Sequence, residues 1–458
     1  MTVVGVVALR WVARGARIGA PSITLWVLAW LLFFLPLATA VSALSARYPE
    51  QGGLYAWARR AFGPVHGFVC GWCLWINCLF YFPSLLLFGA ANALLPFGAR
   101  FQVLAESRPY SIAFVLLMLW LAVGLNLLGL SKAKWLQNIG SAGTWMPAAL
   151  LIACGAVAVA WFGSATSFAP SALLPRGDFL GTLSLWSAIC FAFSGFEITS
   201  YVGQEIRHAS RTVPAGILLA GGIVTLIYIA GSASILAAVP ASSLVERSGI
   251  ADAVELVSAR VGLGGAGALT GGLLALGAVA MTGAWFAGAA RVPFAVGVDS
   301  ALPDGFARIH PRYRTPHVAL IVQGAASTLI FLASVLLTIA GKAPSIQNTY
   351  DVLVNLTILL YFVPYLYLFA SFIRLGSARS AGEGRGPRRS AAVWLTGACG
   401  LFATATSLAL VFVPPAGTTS VVNYEANLVG QSTALLLVGM ALFWRARRRG
   451  DHRPLRRP

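Results

Sequence analysis

Ser194, Gly195 and Glu197 lie within four residues of one another in the apolar stretch Phe191-Ala-Phe-Ser-Gly-Phe-Glu-Ile-Thr-Ser-Tyr201. Gly195 lets the backbone leave helical geometry. A break there frees carbonyls at the end of one half-helix and amides at the start of the next, and such groups bind ions. Glu197 adds a carboxylate, which costs about 3 kcal/mol at membrane depth unless it is paired or hydrated. The competing reading is that Gly195 only permits close helix packing and Glu197 is a structurally bonded acid. Other chemical motifs are weaker. Cys70-x-x-Cys73 has no redox or zinc context, and all six cysteines (Cys70, Cys73, Cys78, Cys154, Cys190, Cys399) fall in apolar runs, where they read as small packing residues. Gly262-Leu-Gly264-Gly-Ala-Gly267 fits G-x-G-x-x-G, but no strand precedes it, so it reads as a loop or small-residue contact. There is no Walker A sequence, metal-spaced cluster or Ser/His/Asp set, and the five histidines sit at run ends, in loops or in the tail. No catalytic residue, cofactor or metal is expected.

The elements that must position Ser194 to Glu197 follow from composition. Of 458 residues, 58% are apolar and 10% charged, and the charges collect in gaps between apolar runs of about twenty residues. This describes an all-α polytopic membrane protein forming one transmembrane domain over 1–458. The runs give spans near 2–18, 22–45, 64–94, 110–130, 143–163, 182–203, 214–239, 267–291, 317–338, 350–373, 391–413 and 428–445, numbered 1 to 12 below. In hydrocarbon every backbone N–H and C=O needs a partner, so an interrupted span is tolerated only where it is buried or lines a cavity. Span 6 is therefore the candidate site.

Twelve spans put both termini on one side. That side carries 23 of the 32 Lys and Arg residues, and the other carries nine, Arg10, Arg14 and Arg17 among them. The bias places the termini in the cytoplasm. The formal charge of +18 is spread over loops and the tail from Arg445, which suits contact with anionic lipid and gives no platform for nucleic acid. Arg10, Arg14 and Arg17 follow the start of the first run, an arrangement unlike a cleavable signal peptide.

Three stretches carry a resemblance: Ser45 to Phe68 (SARYPEQGGLYAWARRAFGPVHGF), Phe191 to Pro214 (FAFSGFE…QEIRHASRTVP) and Ala290 to Pro316 (ARVPFAVGVDSALPDGFARIHPRYRTP). In order and spacing they resemble the amino acid–polyamine–organocation superfamily of permeases. The LRW near Leu9 and the FYFPSLLLF of span 3 look most like the glutamate/GABA-antiporter-like branch. The resemblance implies a LeuT-like fold of 5+5 inverted repeats, about 1–163 and 182–373, with two appended helices over about 391–445 and a cytoplasmic tail, 446–458. It also implies that substrate binds where interrupted spans 1 and 6 meet, with Phe191 as an aromatic gate, Ser194, Gly195 and Phe196 in the unwound segment, Trp285 as a lid, and Asn77 and Cys78 lining span 3. Ala8, Leu9 and Arg10 fall at the span 1 break, and Glu197 has a gating or structural role. Beside these stand plainer readings: Trp285 and Phe191 as lipid-facing or core aromatics, and Asn77 as a helix–helix hydrogen bond.

Two departures from the family pattern matter. The span 1 stretch reads Gly5-Val-Val-Ala-Leu-Arg10, without the second glycine that helps relatives hold a carboxylate; Arg10 either replaces the lost amides or snorkels to the outer interface. Span 5 lacks Lys and Arg, which tilts the reading towards exchange or another coupling ion. The expected function is secondary active transport of amino acids or related amines across the cytoplasmic membrane. A transport-inactive sensor and a membrane-embedded enzyme are the alternatives, and the oligomeric state is open between monomer and homodimer. Only Met1 to about Val7 precede the expected break, so the native start is expected upstream, unless the break lies elsewhere and span 1 is short and tilted.

Overall fold

A computed structural model describes residues 8–48, 52–175, 183, 185–197, 209–293, 304–340, 345–382, 387–413 and 421–448, and every regular element among them is helical. Gly5, residues 198–208 and 294–303 of the quoted stretches, and the tail beyond Arg448 lie outside the described residues. Among the described residues ten helices are long and apolar enough to cross a membrane: Pro21–Arg47, Pro64–Phe97, Arg108–Leu127, Gly140–Phe162, Thr212–Ala238, Ala266–Pro293, His317–Leu337, Ile346–Gly376, Ala391–Leu410 and Tyr424–Arg448. They coincide with spans 2–5 and 7–12. The two remaining spans, 1 and 6, are the two that were expected to be interrupted. Span 1 holds the helix Arg10–Ala16 and span 6 the helix Trp186–Ala192. Each is about two turns long, too short to cross about 30 Å of hydrocarbon as a helix.

Burial sorts the helices into a core and a rim. Span 3, Pro64–Ala93, is apolar all round and 94% buried over its most apolar window, as a helix without a polar face must be. Spans 10 and 8 pack against it and are 78% and 67% buried over theirs. Spans 11 and 12 turn Trp394, Leu395, Phe402 and Leu437 outwards, an apolar rim suited to lipid. Spans 5 and 8 come together at glycines: a Cβ on Gly143 would stand 2.6 Å from the Gly277 nitrogen and 2.8 Å from its Cα. With little hydrophobic drive between helices in lipid, such backbone proximity supplies the packing. The G-x-G-x-x-G stretch is a loop leading into span 8, and its Gly265 and Gly267 amides donate to the Glu255 carboxylate at 3.0 and 2.7 Å.

Candidate functional site

The span 6 break is built locally and then fastened from outside. After Ala192 the chain turns out of the helix. The Ser194 amide and hydroxyl both donate to the Phe191 carbonyl, at 2.9 and 2.6 Å, and Gly195 takes φ +100°, which L side chains rarely adopt. The freed Gly195 amide donates to Glu197 Oε2 at 3.0 Å and to Tyr365 Oη at 3.1 Å. Glu197 is buried and accepts the Tyr365 hydroxyl at 2.6 Å and the Tyr361 hydroxyl. Two phenols and one amide thus replace the water that a carboxylate would otherwise require, and they tie the unwound segment to span 10.

Span 1 meets this break through span 7. The Ala8 amide donates to Tyr228 Oη at 3.4 Å, and the Tyr228 hydroxyl donates to the Ala192 carbonyl at 3.2 Å, so one side chain bridges both interruptions. Next along the chain, Arg10 is 1% exposed. Its NH1 donates to Ser84 Oγ at 3.1 Å, its Cζ lies 4.6 Å from the Trp11 ring centroid and 4.9 Å from that of Tyr81, and Nε and NH2 make no hydrogen bond to the protein. The side chain is enclosed by spans 1 and 3, so the snorkelling alternative does not describe it.

A cavity lies where these segments converge, lined by Ala8, Trp11, Asn77, Cys78, Tyr81, Phe191, Ala192, Ser194, Trp285 and Tyr361. A second shares Ala8 and is lined by Leu9, Arg10 and residues of spans 3, 5 and 8, including Gly143, Thr144 and Gly277. Of the residues expected at the site, Ala8, Asn77, Cys78, Phe191, Ser194 and Trp285 come to the first cavity, and Ala8, Leu9 and Arg10 to the second. Gly195 and Glu197 brace the wall. Phe196 is not brought to either lining: its ring packs on Phe34 of span 2 at 5.0 Å, because adjacent residues of an irregular segment face different ways. Asn77 Nδ2 donates to the Leu74 carbonyl within its own helix, so the helix–helix bond proposed for it does not form through that nitrogen. Span 5 brings no cation to the second cavity; span 1 does, through Arg10.

Sequence reading missed Trp11, Tyr81, Tyr228, Tyr361 and Tyr365. Aromatic residues in apolar runs carry no pattern that separates a cavity wall from a lipid face. It also assigned Arg14 to the loop charges. Arg10, Arg14 and Arg17 recur at i, i+4 and i+7, one helix face, and that spacing was a signal of shared partners. Arg14 is buried; its NH1 lies 3.0 Å from Glu246 Oε1 and 3.8 Å from Asp351 Oδ1, and its NH2 donates to Asn355 Oδ1 at 3.1 Å. Arg17 NH1 adds a 3.4 Å contact to Glu246 Oε2, and Asn355 Nδ2 donates to Tyr424 Oη at 3.0 Å.

This end of the site is closed in two layers. Phe191 packs on Trp11 at 5.1 Å and on Tyr361 at 5.2 Å, making an aromatic layer over the first cavity. One turn further along each helix a third cavity, lined by Ser187, Ala188, Asn355 and Ile358, reaches Arg14 and its ionic layer. Among the described residues no three His, Cys, Asp or Glu side chains converge as a metal site would need.

A bundle of membrane-crossing helices that encloses a central cavity between two interrupted ones defines a multi-pass membrane transporter. The chain matches the amino acid permease family over residues 2–443 and belongs to it, within the amino acid–polyamine–organocation superfamily. It is 27% identical over 436 residues to an uncharacterized transporter of Legionella pneumophila, covering 94% of this chain and 92% of that one. It is 25% identical to a probable agmatine/putrescine antiporter of Lactococcus lactis, covering 79% of this chain and 74% of the relative. It is 26% identical to a branched-chain amino acid permease of Bacillus subtilis, covering 69% and 68%.

Proposed function

We propose that the chain is a secondary active transporter that moves amino acids or related amines across the cytoplasmic membrane by alternating access. The observation that carries this reading is the cavity formed jointly by interrupted spans 1 and 6 with spans 3, 8 and 10, deep in the bundle and closed by two successive layers at the Arg14 end. A site that releases solute to alternate sides needs a wall that can open at each end, and ion pairs and aromatic contacts between separate helices can part without unfolding any of them.

In this reading spans 1–5 and 6–10 are the inverted repeats, spans 11 and 12 are appended, and both termini are cytoplasmic. Glu246 and the helix Gly249–Arg260 then lie outside, and the structure represents a form closed to the outside. Removing buried Arg10 and Arg14 from the outer charges strengthens the positive-inside bias that supports this orientation. Phe191 and Trp285 line one cavity and close over substrate there, excluding water during turnover. Glu197, with both oxygens engaged and no place in the lining, sets the geometry of the unwound segment. Exchange is the preferred mode.

Uptake by the purified chain in liposomes, with a panel of amino acids and amines inside and outside, tests the reading. Uptake that requires the protein supports it. A chain that binds panel members without moving them would be the sensor, and one that converts them would be the enzyme.

A further inference from the structure

We propose that the Arg10 guanidinium binds the carboxylate of the transported solute, so that the chain carries neutral, zwitterionic amino acids and rejects dicationic amines. The inference rests on the transport reading above and specifies the substrate class for the same site.

An anion bound at mid-bundle needs donors that are not already committed. The Ala8 amide donates to Tyr228 and the Gly195 amide to Glu197 and Tyr365, so two of the amides at the interruptions are taken. Arg10 retains capacity. Its NH1 is anchored on Ser84, while Nε and NH2, the two nitrogens along one edge of the guanidinium, have no protein partner although the side chain is 1% exposed. That edge is the fork that takes a carboxylate through two parallel N–H···O bonds. The flanking Trp11 and Tyr81 rings, 4.6 and 4.9 Å from Cζ, hold the guanidinium before any ligand arrives, which limits the ordering that binding requires. Arg10 lines the second cavity, and the two rings against it line the first, so a carboxylate at Arg10 leaves the rest of the solute in the aromatic chamber.

That chamber suits one ammonium group. Trp285, Tyr81 and Tyr361 line it, and aromatic rings attract a cation over their faces. Asn77, with Nδ2 committed to Leu74, offers Oδ1 as an acceptor. Among the described residues no Asp or Glu lines either cavity, and both oxygens of Glu197 are engaged by the tyrosines and Gly195. A diamine would therefore find no counter-charge for its second cation and would face the like charge of Arg10 in a medium of low dielectric. The similar relatives include both a probable agmatine/putrescine antiporter and a branched-chain amino acid permease at nearly equal identity, so the overall match does not decide between the classes.

The test uses the purified full-length chain with paired probes that differ by one carboxylate: leucine and isoamylamine, phenylalanine and phenethylamine, arginine and agmatine, ornithine and putrescine. Binding is read by the change in tryptophan fluorescence in detergent, and transport by uptake into liposomes. The expected result is saturable uptake of at least one neutral amino acid, with its amine at least about 10-fold weaker as a competitor. Arg10→Lys raises the KM for that amino acid by about 10- to 100-fold, the loss of one strong ionic hydrogen bond. Arg10→Gln abolishes the fluorescence response in protein that still elutes as a single species. Should Arg10→Gln fail to fold, Arg10→Lys and the paired probes decide. Uptake of agmatine or putrescine by the wild-type chain, equal competition by isoamylamine and leucine, or wild-type affinity in Arg10→Lys would overturn the assignment and leave the transport reading intact. Failure of every acid and every amine would overturn the transport reading and this inference together.

Discussion

Replacing Glu246 by glutamine removes the charge that holds the ionic layer together while keeping its size. Glu246 is enclosed by protein and serves two cations, Arg14 at 3.0 Å and Arg17 at 3.4 Å. Breaking a buried pair by neutralising one partner typically costs about 3–5 kcal/mol, because the other charge stays buried. Here Arg14 keeps the Asn355 carbonyl at 3.1 Å and Asp351 at 3.8 Å, so we take about 2–3 kcal/mol as the loss to the closed form. At about 1.4 kcal/mol per factor of ten, the ratio of closed to open forms falls about 30- to 150-fold. The readout is Cys78, which lines the cavity beneath the aromatic layer. In a chain whose other five cysteines are replaced by alanine, right-side-out vesicles are treated with a membrane-impermeant maleimide. Glu246→Gln should raise the rate of Cys78 labelling at least 10-fold, up to the point where the open form dominates. Unchanged labelling in folded Glu246→Gln protein would refute the view that these charges hold the outer side shut.

Three further outcomes follow from the same geometry. Glu197→Gln should lower the maximal transport rate while KM stays within about threefold, because the carboxylate braces the unwound segment without lining the cavity; wild-type rate and pH profile together would remove Glu197 from the mechanism. Trp285→Ala opens the first cavity and should raise KM about 10-fold or more, the loss of one aromatic contact on the solute; unchanged KM and rate would show that Trp285 does not close the site. Gly277→Ala sets a Cβ 2.8 Å from the Gly143 carbonyl oxygen, so spans 5 and 8 must separate; a loss of about 1–3 kcal/mol and a lower melting temperature are expected, and a wild-type melting curve would contradict the packing described.

The ten long helices were legible because hydrocarbon imposes one rule, about twenty apolar residues per crossing, that hydropathy reads directly. The span 6 break was legible for a related reason: Ser194-Gly195 interrupts a run, and Glu197 demands a partner. Which partner could not be read, since Tyr361 and Tyr365 lie more than 160 residues away, inside a run that is apolar on every side. Hydropathy draws span 1 as one run, and its break near Arg10 was expected from the family resemblance alone; among the described residues its helix begins at Arg10. Arg10 left two readings open in sequence, and only the positions of Ser84, Trp11 and Tyr81 separate them. Phe196 shows the opposite limit. Its place in the motif suggested the cavity, but side-chain direction in an unwound segment depends on dihedrals that no periodicity encodes.

Counterflow is the measurement that bears most directly on the central claim. Liposomes containing the purified chain are loaded with one unlabelled neutral amino acid at high concentration and diluted into a trace of the same compound labelled, with the twenty amino acids run in turn. The account predicts that, for at least one of them, the label accumulates transiently above its equilibrium level and that the overshoot disappears in the Trp285→Ala, Phe191→Ala double variant. Label that enters no faster than in protein-free liposomes for all twenty would contradict the assignment of the cavity between spans 1 and 6 as an amino acid transport site.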